Sequence, residues 1–297
     1  VKVFDAEATR ERLPFGQLIP ALREAFVRGA AVPPRQVLEL GAATSLLMPA
    51  WDGAHYAVKV VNVAPGNAAQ GLPSVHASVL LYDAATGVPL ALIDGGEVTA
   101  RRTVAASALA ALLLARADAS KLLVVGGGRL ARLLPLAYRE VRPLEAVRVW
   151  ARSPAQAESV AAAWRALGLA ADVAPSLEAG VRWADIVSCA TLATEPLIED
   201  RWLRPGMHLD LIGSFTPAMR EADDACLHGA AVVVDTEEAL LKSGDLASFD
   251  RRHLRGTLAS TVRGETPARR SADERTVFKS VGTALEDLAA AVLVLRG

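Results

Sequence analysis

The residues best placed to do chemistry are glycines. Leu122-Leu123-Val124-Val125 runs straight into Gly126-Gly127-Gly128-Arg129-Leu130-Ala131, a G-x-G-x-x-A spacing between an apolar strand and a helical segment. Gly126 permits the tight turn, Gly128 lets backbone approach a pyrophosphate, and Ala131 lets the helix pack closely on the strand. The helix N-terminus then meets phosphates with free N–H groups and a positive dipole. A glycine turn alone need bind nothing, but here a strand–helix series continues behind it, so we read a dinucleotide site. The next strand, Val147-Arg148-Val149-Trp150, ends in Ala151-Arg152-Ser153-Pro154. An NAD site places an acid there to hold the ribose 2′-hydroxyl. Glu145 precedes the strand and Glu158 lies inside the following helix, whereas Arg152 and Ser153 offer a cation and a hydroxyl that suit a 2′-phosphate. NADP(H) is therefore favoured over NAD(H), although a strand-end arginine is often simply solvated.

Three cations sit in apolar settings. Lys59 lies within Tyr56-Ala57-Val58-Lys59-Val60-Val61, where a lysine either snorkels outward or waits for an anion. Arg102 falls in the first turn of a long apolar helix, where a cation opposes the dipole and needs a reason to be there. Arg35 follows Pro33-Pro34. The trio suits recognition of a small carboxylate, and spacing alone does not show that the three converge.

Composition narrows the classes. With 297 residues, 52% apolar, 22% charged and a net charge of −1 without charge blocks, the chain has no electrostatic footprint for nucleic acid. The longest apolar stretch, residues 104–115, is too short to span a bilayer, and residues 1–12 do not read as a signal peptide. The two cysteines, Cys189 and Cys226, and the five scattered histidines lack metal-ligand spacing. A soluble, cytoplasmic protein with reduced thiols and no metal is expected.

Two textures organise the chain. An amphipathic helix over residues 20–27, ended by Pro33-Pro34, precedes β-like runs at 45–49, 55–63, 75–82 and 89–93, and then a helix apolar nearly all round at 99–116. From residue 118, strands at 122–125, 146–150, 171–173, 186–190, 208–212 and 231–235 alternate with helices at 130–141, 154–167 and near Leu177. That alternation means a parallel sheet covered on both faces. Residues 263–274 look least ordered, and residues 280–295 read as a terminal helix. The fold class is α/β: a Rossmann-type domain over 118–277, and an α+β domain with a mainly antiparallel sheet over 1–117, completed by a C-terminal helix over 278–297.

These features occur together in one family. The chain resembles the ornithine cyclodeaminase/μ-crystallin family almost end to end, through Leu47-Met48-Pro49, Val58-Lys59-Val60-Val61-Asn62, Gly71-Leu72-Pro73-Ser74 and Thr99-Ala100-Arg101-Arg102-Thr103. The match continues through the glycine turn, Ala184-Asp185-Ile186-Val187, Arg204-Pro205-Gly206-Met207-His208 and Phe278-Lys279-Ser280-Val281-Gly282. The resemblance implies a homodimer whose first domain holds the substrate. It implies that Arg35, Lys59 and Arg102 grip a substrate carboxylate, that Ser74 and Arg102 lie near the nicotinamide end, and that Gly128, Arg129 and Leu130 hold the pyrophosphate. Thr191 would border the cofactor, Leu211, Ile212, Gly213 and Ser214 would line the nicotinamide pocket, and Ser280 and Val281 would close over the site.

One departure sorts the branches. Cyclodeaminases resemble Gly-Gly-Asp-Cys-Pro where this chain reads Gly213-Ser214-Phe215-Thr216-Pro217, and an acid they often carry before Leu-Met-Pro is Leu46 here. Apolar groups at both places neither move protons nor hold a second ammonium. The pattern resembles the reductase branch, which implies hydride transfer from a nicotinamide to a cyclic imino acid, with Phe215 and Val281 against the ring. Ornithine cyclodeamination and non-catalytic binding of NADPH and a small carboxylate, as in μ-crystallin, are the rival readings.

Overall fold

Period-two alternation in the first third of the chain builds a sheet. The strands are β1 (Lys2–Phe4), β2 (Gln36–Glu39), β3 (Thr44–Trp51), β4 (His55–Val63), β5 (Val75–Asp83) and β6 (Pro89–Asp94). The computed structural model describes residues 1–67 and 69–297. Among these the sheet order is β1-β6-β5-β4-β3-β2, antiparallel throughout except for the parallel β1–β6 pair. The register sets Met48, Lys59, Val79 and Ile93 in one row across four strands, and all four are buried. One residue away on each strand, Pro49, Val58, Leu80 and Leu92 make the corresponding row on the opposite face.

Helices α1 (Ala6–Glu11), α2 (Phe15–Arg28) and α3 (Gly95–Leu114) accompany this sheet. Helix α2 is one turn longer at its start than the pattern suggested. It stops at Gly29, whose φ of 75° terminates it four residues before Pro33-Pro34. Helix α3 begins at Gly95 rather than Thr99. The side chain of Asp94 accepts from the Glu97 N–H at 2.7 Å, and a Cβ on Gly95 would lie 2.6 Å from the backbone of Ala77 and Ser78. Gly95 and Gly96 hid this start from propensity, and Gly95 is needed for close approach.

The remaining strands are β7 (Lys121–Val125), β8 (Ala146–Trp150), β9 (Ala171–Val173), β10 (Ile186–Cys189), β11 (His208–Leu211), β12 (Ala231–Val234), β13 (Leu254–Thr257) and β14 (Thr276–Lys279). Every pairing is parallel, in the order β13-β12-β14-β11-β10-β7-β8-β9. Helices α4 (Arg129–Tyr138), α5 (Pro154–Ala166), α6 (Leu177–Trp183), α7 (Ala239–Lys242) and α8 (Leu258–Val262) connect them. Strands β10, β11, β12 and β14 are buried at every residue, as strands covered on both faces are, His208, Asp210 and Lys279 included.

Two expectations change here. Residues 278 and 279 belong to β14, between β11 and β12, so the C-terminal helix does not begin at 278. Helix α9 spans Ala284–Arg296, after Thr283 has capped it. The strand Thr-Val-Phe-Lys is too short and too polar at its ends to stand out from the apolar helix that follows. The polar stretch 263–274 is also tied down. Arg269 donates to the Leu114 carbonyl at 2.7 Å and to Thr276 Oγ1 at 3.1 Å, and Arg255 pairs with Glu274 at 2.6 Å.

The chain divides into two compact units, Val1–Ala105 with Thr283–Gly297, and Ala106–Gly282. The division falls inside α3, twelve residues before the texture change, and α9 packs against α2 and strands β3, β4 and β5 of the first unit. Cys189 and Cys226 are free and buried. Among the described residues no helix is long and apolar enough to cross a membrane.

Candidate active site

In the first unit the sheet delivers Lys59 from the middle of β4 to the face covered by α9. Its side chain is 2% exposed, and its Nζ donates to Asp287 Oδ1 at 2.9 Å, with Oδ2 at 2.8 Å. Arg102, 5% exposed, donates from Nε to the same Oδ1 at 3.0 Å and from a terminal nitrogen to Glu286 Oε2 at 2.7 Å. Two of the three suspected cations therefore meet on one carboxylate oxygen. Arg35 immediately precedes β2, one residue before the Gln36–Leu47 pair. Ser74 immediately precedes β5, and its carbonyl accepts from Ala64 at 2.8 Å.

Glu286 and Asp287, both essentially unexposed, were not singled out from the sequence. Two acids in the first turn of a helix are the ordinary answer to its dipole, so nothing marked them as partners of Lys59 and Arg102. Burial pushes the Lys59 ammonium down to about 8; Asp287 pulls it back up and Arg102 pushes it further down. Burial acts to raise Asp287, but Lys59 and Arg102 outweigh it and hold that carboxyl below its ordinary range.

In the second unit the glycine turn borders a cleft of about 390 Å³ with Trp150, Arg152, Gln156 and Thr191. Gly126 has φ 132°, and a Cβ there would meet the Ala190 carbonyl at 2.6 Å. Gly128 caps α4 without any side-chain bond, and a Cβ on it would meet nothing within 4 Å. A helix start whose cap residue has no side chain and has open space beside it fits a pyrophosphate. Arg129 and Leu130 open α4, and Ala131 is fully buried beneath it. Arg152 is exposed on the cleft. Ser153 caps α5, accepting from the Gln156 N–H at 3.3 Å, so its hydroxyl already has a structural task.

Behind the cleft, buried carboxylates gather loop backbone. Glu221 Oε1 accepts from Thr191 N and Thr191 Oγ1, both at 2.8 Å, and Oε2 accepts from Gly213 N at 2.7 Å. The Gly213 N–H is thereby committed to the protein. Leu211 accepts from Lys279 Nζ at 3.0 Å, and the Ile212 N–H donates to the Cys189 carbonyl at 3.0 Å. Asp235 Oδ2 accepts from Ser280 Oγ, Val281 N and Gly282 N at 2.9, 2.8 and 2.6 Å. The Ser280 hydroxyl thus points at Asp235, and Val281 stays half-buried. Phe215, 49% exposed, lies on the loop after β11. Sequence reasoning passed over Glu221 and Asp235 because single acids between strands carry no spacing signal.

The profile described as the ornithine cyclodeaminase/mu-crystallin family matches residues 2–296. A Δ1-pyrroline-2-carboxylate reductase of Paracoccus denitrificans is 41% identical over 300 residues, covering 96% of this chain and 93% of that protein. The structure of Thermococcus litoralis Δ1-pyrroline-2-carboxylate reductase with NADH and L-proline superposes with a TM-score of 0.93 at 34% identity, over 100% of this chain and 97% of that one. An archaeal alanine dehydrogenase dimer with bound NAD gives 0.94 at 29% identity, over 100% and 95%.

The charge cluster makes an ordered prediction. Asp287→Ala leaves two buried cations facing each other and should cost about 3–5 kcal/mol. Lys59→Met leaves Asp287 still paired with Arg102 and should cost less. Urea unfolding of both variants checks the order, and a costlier Lys59→Met would refute this account of the cluster.

Proposed function

The chain belongs to the ornithine cyclodeaminase/mu-crystallin family, and we propose that it reduces a small cyclic imino acid, such as Δ1-pyrroline-2-carboxylate or Δ1-piperideine-2-carboxylate, to the L-amino acid. The observation that carries this reading is the convergence of Lys59 and Arg102 on one buried carboxylate oxygen. Cations already stripped of water bind a carboxylate more strongly than solvated ones, and Asp287 fixes their spacing. Arg35, just ahead of β2, would complete the grip.

A nicotinamide dinucleotide, once bound, supplies the hydride that the C=N carbon accepts. Gly126, Gly128 and the first N–H groups of α4 are the groups that would hold its pyrophosphate. Reduction also requires one proton on the imine nitrogen. Lys59, pushed down to about 8, holds a transferable proton at Nζ near neutral pH and keeps the substrate in its electrophilic iminium form. Phe215 stands where cyclodeamination needs an acid, so ring closure with loss of ammonia lacks its proton carrier.

Cofactor choice rests on Arg152. The relatives with bound cofactor carry NADH or NAD, but in this chain no acid lies between Trp150 and Gln156 at the end of β8, and the guanidinium borders the cleft. NADPH is the preferred donor in our reading. The outer sheet face, with Val58 and Leu80 beside an aromatic row of Trp51, Tyr56 and Tyr82, supports a homodimer. Tyr56 and Tyr82 stack at 5.6 Å, and Trp51 meets Tyr56 edge-on at 6.4 Å. A patch of this kind marks an interface.

Purified protein with NADPH and each cyclic imine should consume one NADPH per amino acid formed. Lys59→Met and Arg102→Ala should each lower kcat/KM about 30-fold or more, as lost charged contacts of roughly 2–5 kcal/mol do. Lys59 is a cation below its pKa, so the imine KM should be lowest below pH 8 and rise as pH passes about 8. Ammonia from ornithine without net cofactor consumption, or binding without turnover, would overturn the reading.

Arg152→Ala should raise the NADPH KM roughly tenfold, the worth of one charge-assisted hydrogen bond, and leave that for NADH unchanged. Equal effects on both donors would remove Arg152 from the site. Light scattering should give twice the 31.2 kDa chain mass for the parent and the chain mass for Val58→Glu; a monomeric parent sinks the dimer.

A further inference from the structure

We propose that Glu221 is the positioning residue of the dinucleotide cleft, tying the loops after β10 and β11 together so that Thr191 faces the glycine turn at one fixed distance. The inference rests on the reading that this cleft holds a nicotinamide dinucleotide. Thr191 lies two residues beyond β10, and Gly213 two residues beyond β11. Neighbouring parallel strands leave the N–H groups of such loops without ladder partners. One carboxylate serves both, with Oε1 on Thr191 and Oε2 on Gly213.

The fit has no slack. A Cβ on Gly213 would fall 2.1 Å from the Thr191 carbonyl oxygen and 2.3 Å from Glu221 Oε1. On the other side of the same loop, a Cβ on Gly126 would lie 2.6 Å from the Ala190 carbonyl and 3.7 Å from the Thr191 methyl. Movement of Thr191 is therefore felt directly at the phosphate turn. Glu221 is held in its turn: its own N–H donates to Asp245 Oδ1 at 2.7 Å, and Lys279 pairs with Asp245 Oδ2 at 3.2 Å.

The arrangement needs Glu221 ionised, because all three of its partners donate. A proton on Oε2 turns an acceptor into a donor that faces the Gly213 N–H, and the loop after β11 is released. Burial pushes Glu221 up to about 7; Asp245 adds to the rise, while Lys279 and the Thr191 donors oppose it. The charged and titratable groups around it are Asp245, Lys279 and the buried Cys189 thiol. The anion is present above about 7, so dinucleotide affinity should be highest there and fall as pH drops through 7.

The test measures NADPH binding without substrate, by its fluorescence on the full chain, at about pH 8.5 and about pH 6. For the parent, the dissociation constant should rise on acidification. For Glu221→Gln it should already be raised roughly tenfold at the higher pH, since one buried charged acceptor is lost, and it should no longer change with pH. Glu221→Asp should restore part of the pH response. Amide exchange in the ligand-free protein should show the Gly213 N–H protected in the parent and freed in Glu221→Gln. Parent-like affinity with a parent-like pH response in Glu221→Gln overturns the proposal. If that variant does not fold, Thr191→Val removes one of the three bonds; unchanged affinity there overturns it equally. A parent that binds no NADPH at any pH defeats the cofactor reading instead, and the exchange measurement still decides whether Glu221 holds the loop.

Discussion

A lysine in the interior row of a β-sheet has to be answered by an anion, and much of the first unit follows from that one requirement. Lys59 cannot snorkel from the centre of β4, because its row is closed by Met48, Val79 and the helix above. Losing water costs a buried ammonium several kcal/mol, which only a well-placed carboxylate returns. Asp287, 228 positions later in the chain, does so and accepts from Arg102 with the same oxygen. The last helix is thus bound to the first unit by charge as well as by its apolar face.

The second unit solves the complementary problem. Its strands are apolar and uncharged along most of their length, so the polar demand collects where they end. Carboxylates meet it. Asp210, pushed up to about 6 by burial, receives the hydroxyls of Ser107, Ser188 and Tyr138. Glu221 and Asp235 take loop N–H groups, and Asp245 takes the backbone at Glu221 and Ala222. Lys279 is the cation that balances this end of the sheet. A site built this way owes its shape to buried charge more than to loop rigidity, because Glu221 and Asp235 each pin backbone from more than one place in the sequence.

How much of this was legible depends on whether the signal was local. The glycine turn announced itself because conformation, backbone approach and helix start are all encoded within six residues. Strands β4 and β8 could be read to the residue, since alternation or an apolar run reports burial directly. Lys59 stood out as a charge in the wrong company. Its partners did not, because Glu286 and Asp287 sit where helices commonly carry acids. Strand β14 was hidden for a related reason: four residues inserted between strands 45 and 68 positions away in register have no pattern of their own. Glycines at 95 and 96 argued against a helix start, whereas crowding by β5 is what requires the glycine at 95. What escaped was consistently the long-range half of an interaction whose near half was visible.

The placement of the first unit at both ends of the chain has a consequence for its synthesis. Residues 1–105 leave the ribosome carrying Lys59 and Arg102, while Glu286 and Asp287 are still untranslated. At ordinary elongation rates of about 5–20 residues per second, the interval lasts roughly ten to forty seconds. Through that time the nascent sheet carries unanswered cations on one face and an apolar surface on the other. The contiguous unit, residues 106–282, can complete itself in the interval. The unit begun earlier is the one finished later, and residues 283–297 act as a clasp that closes it.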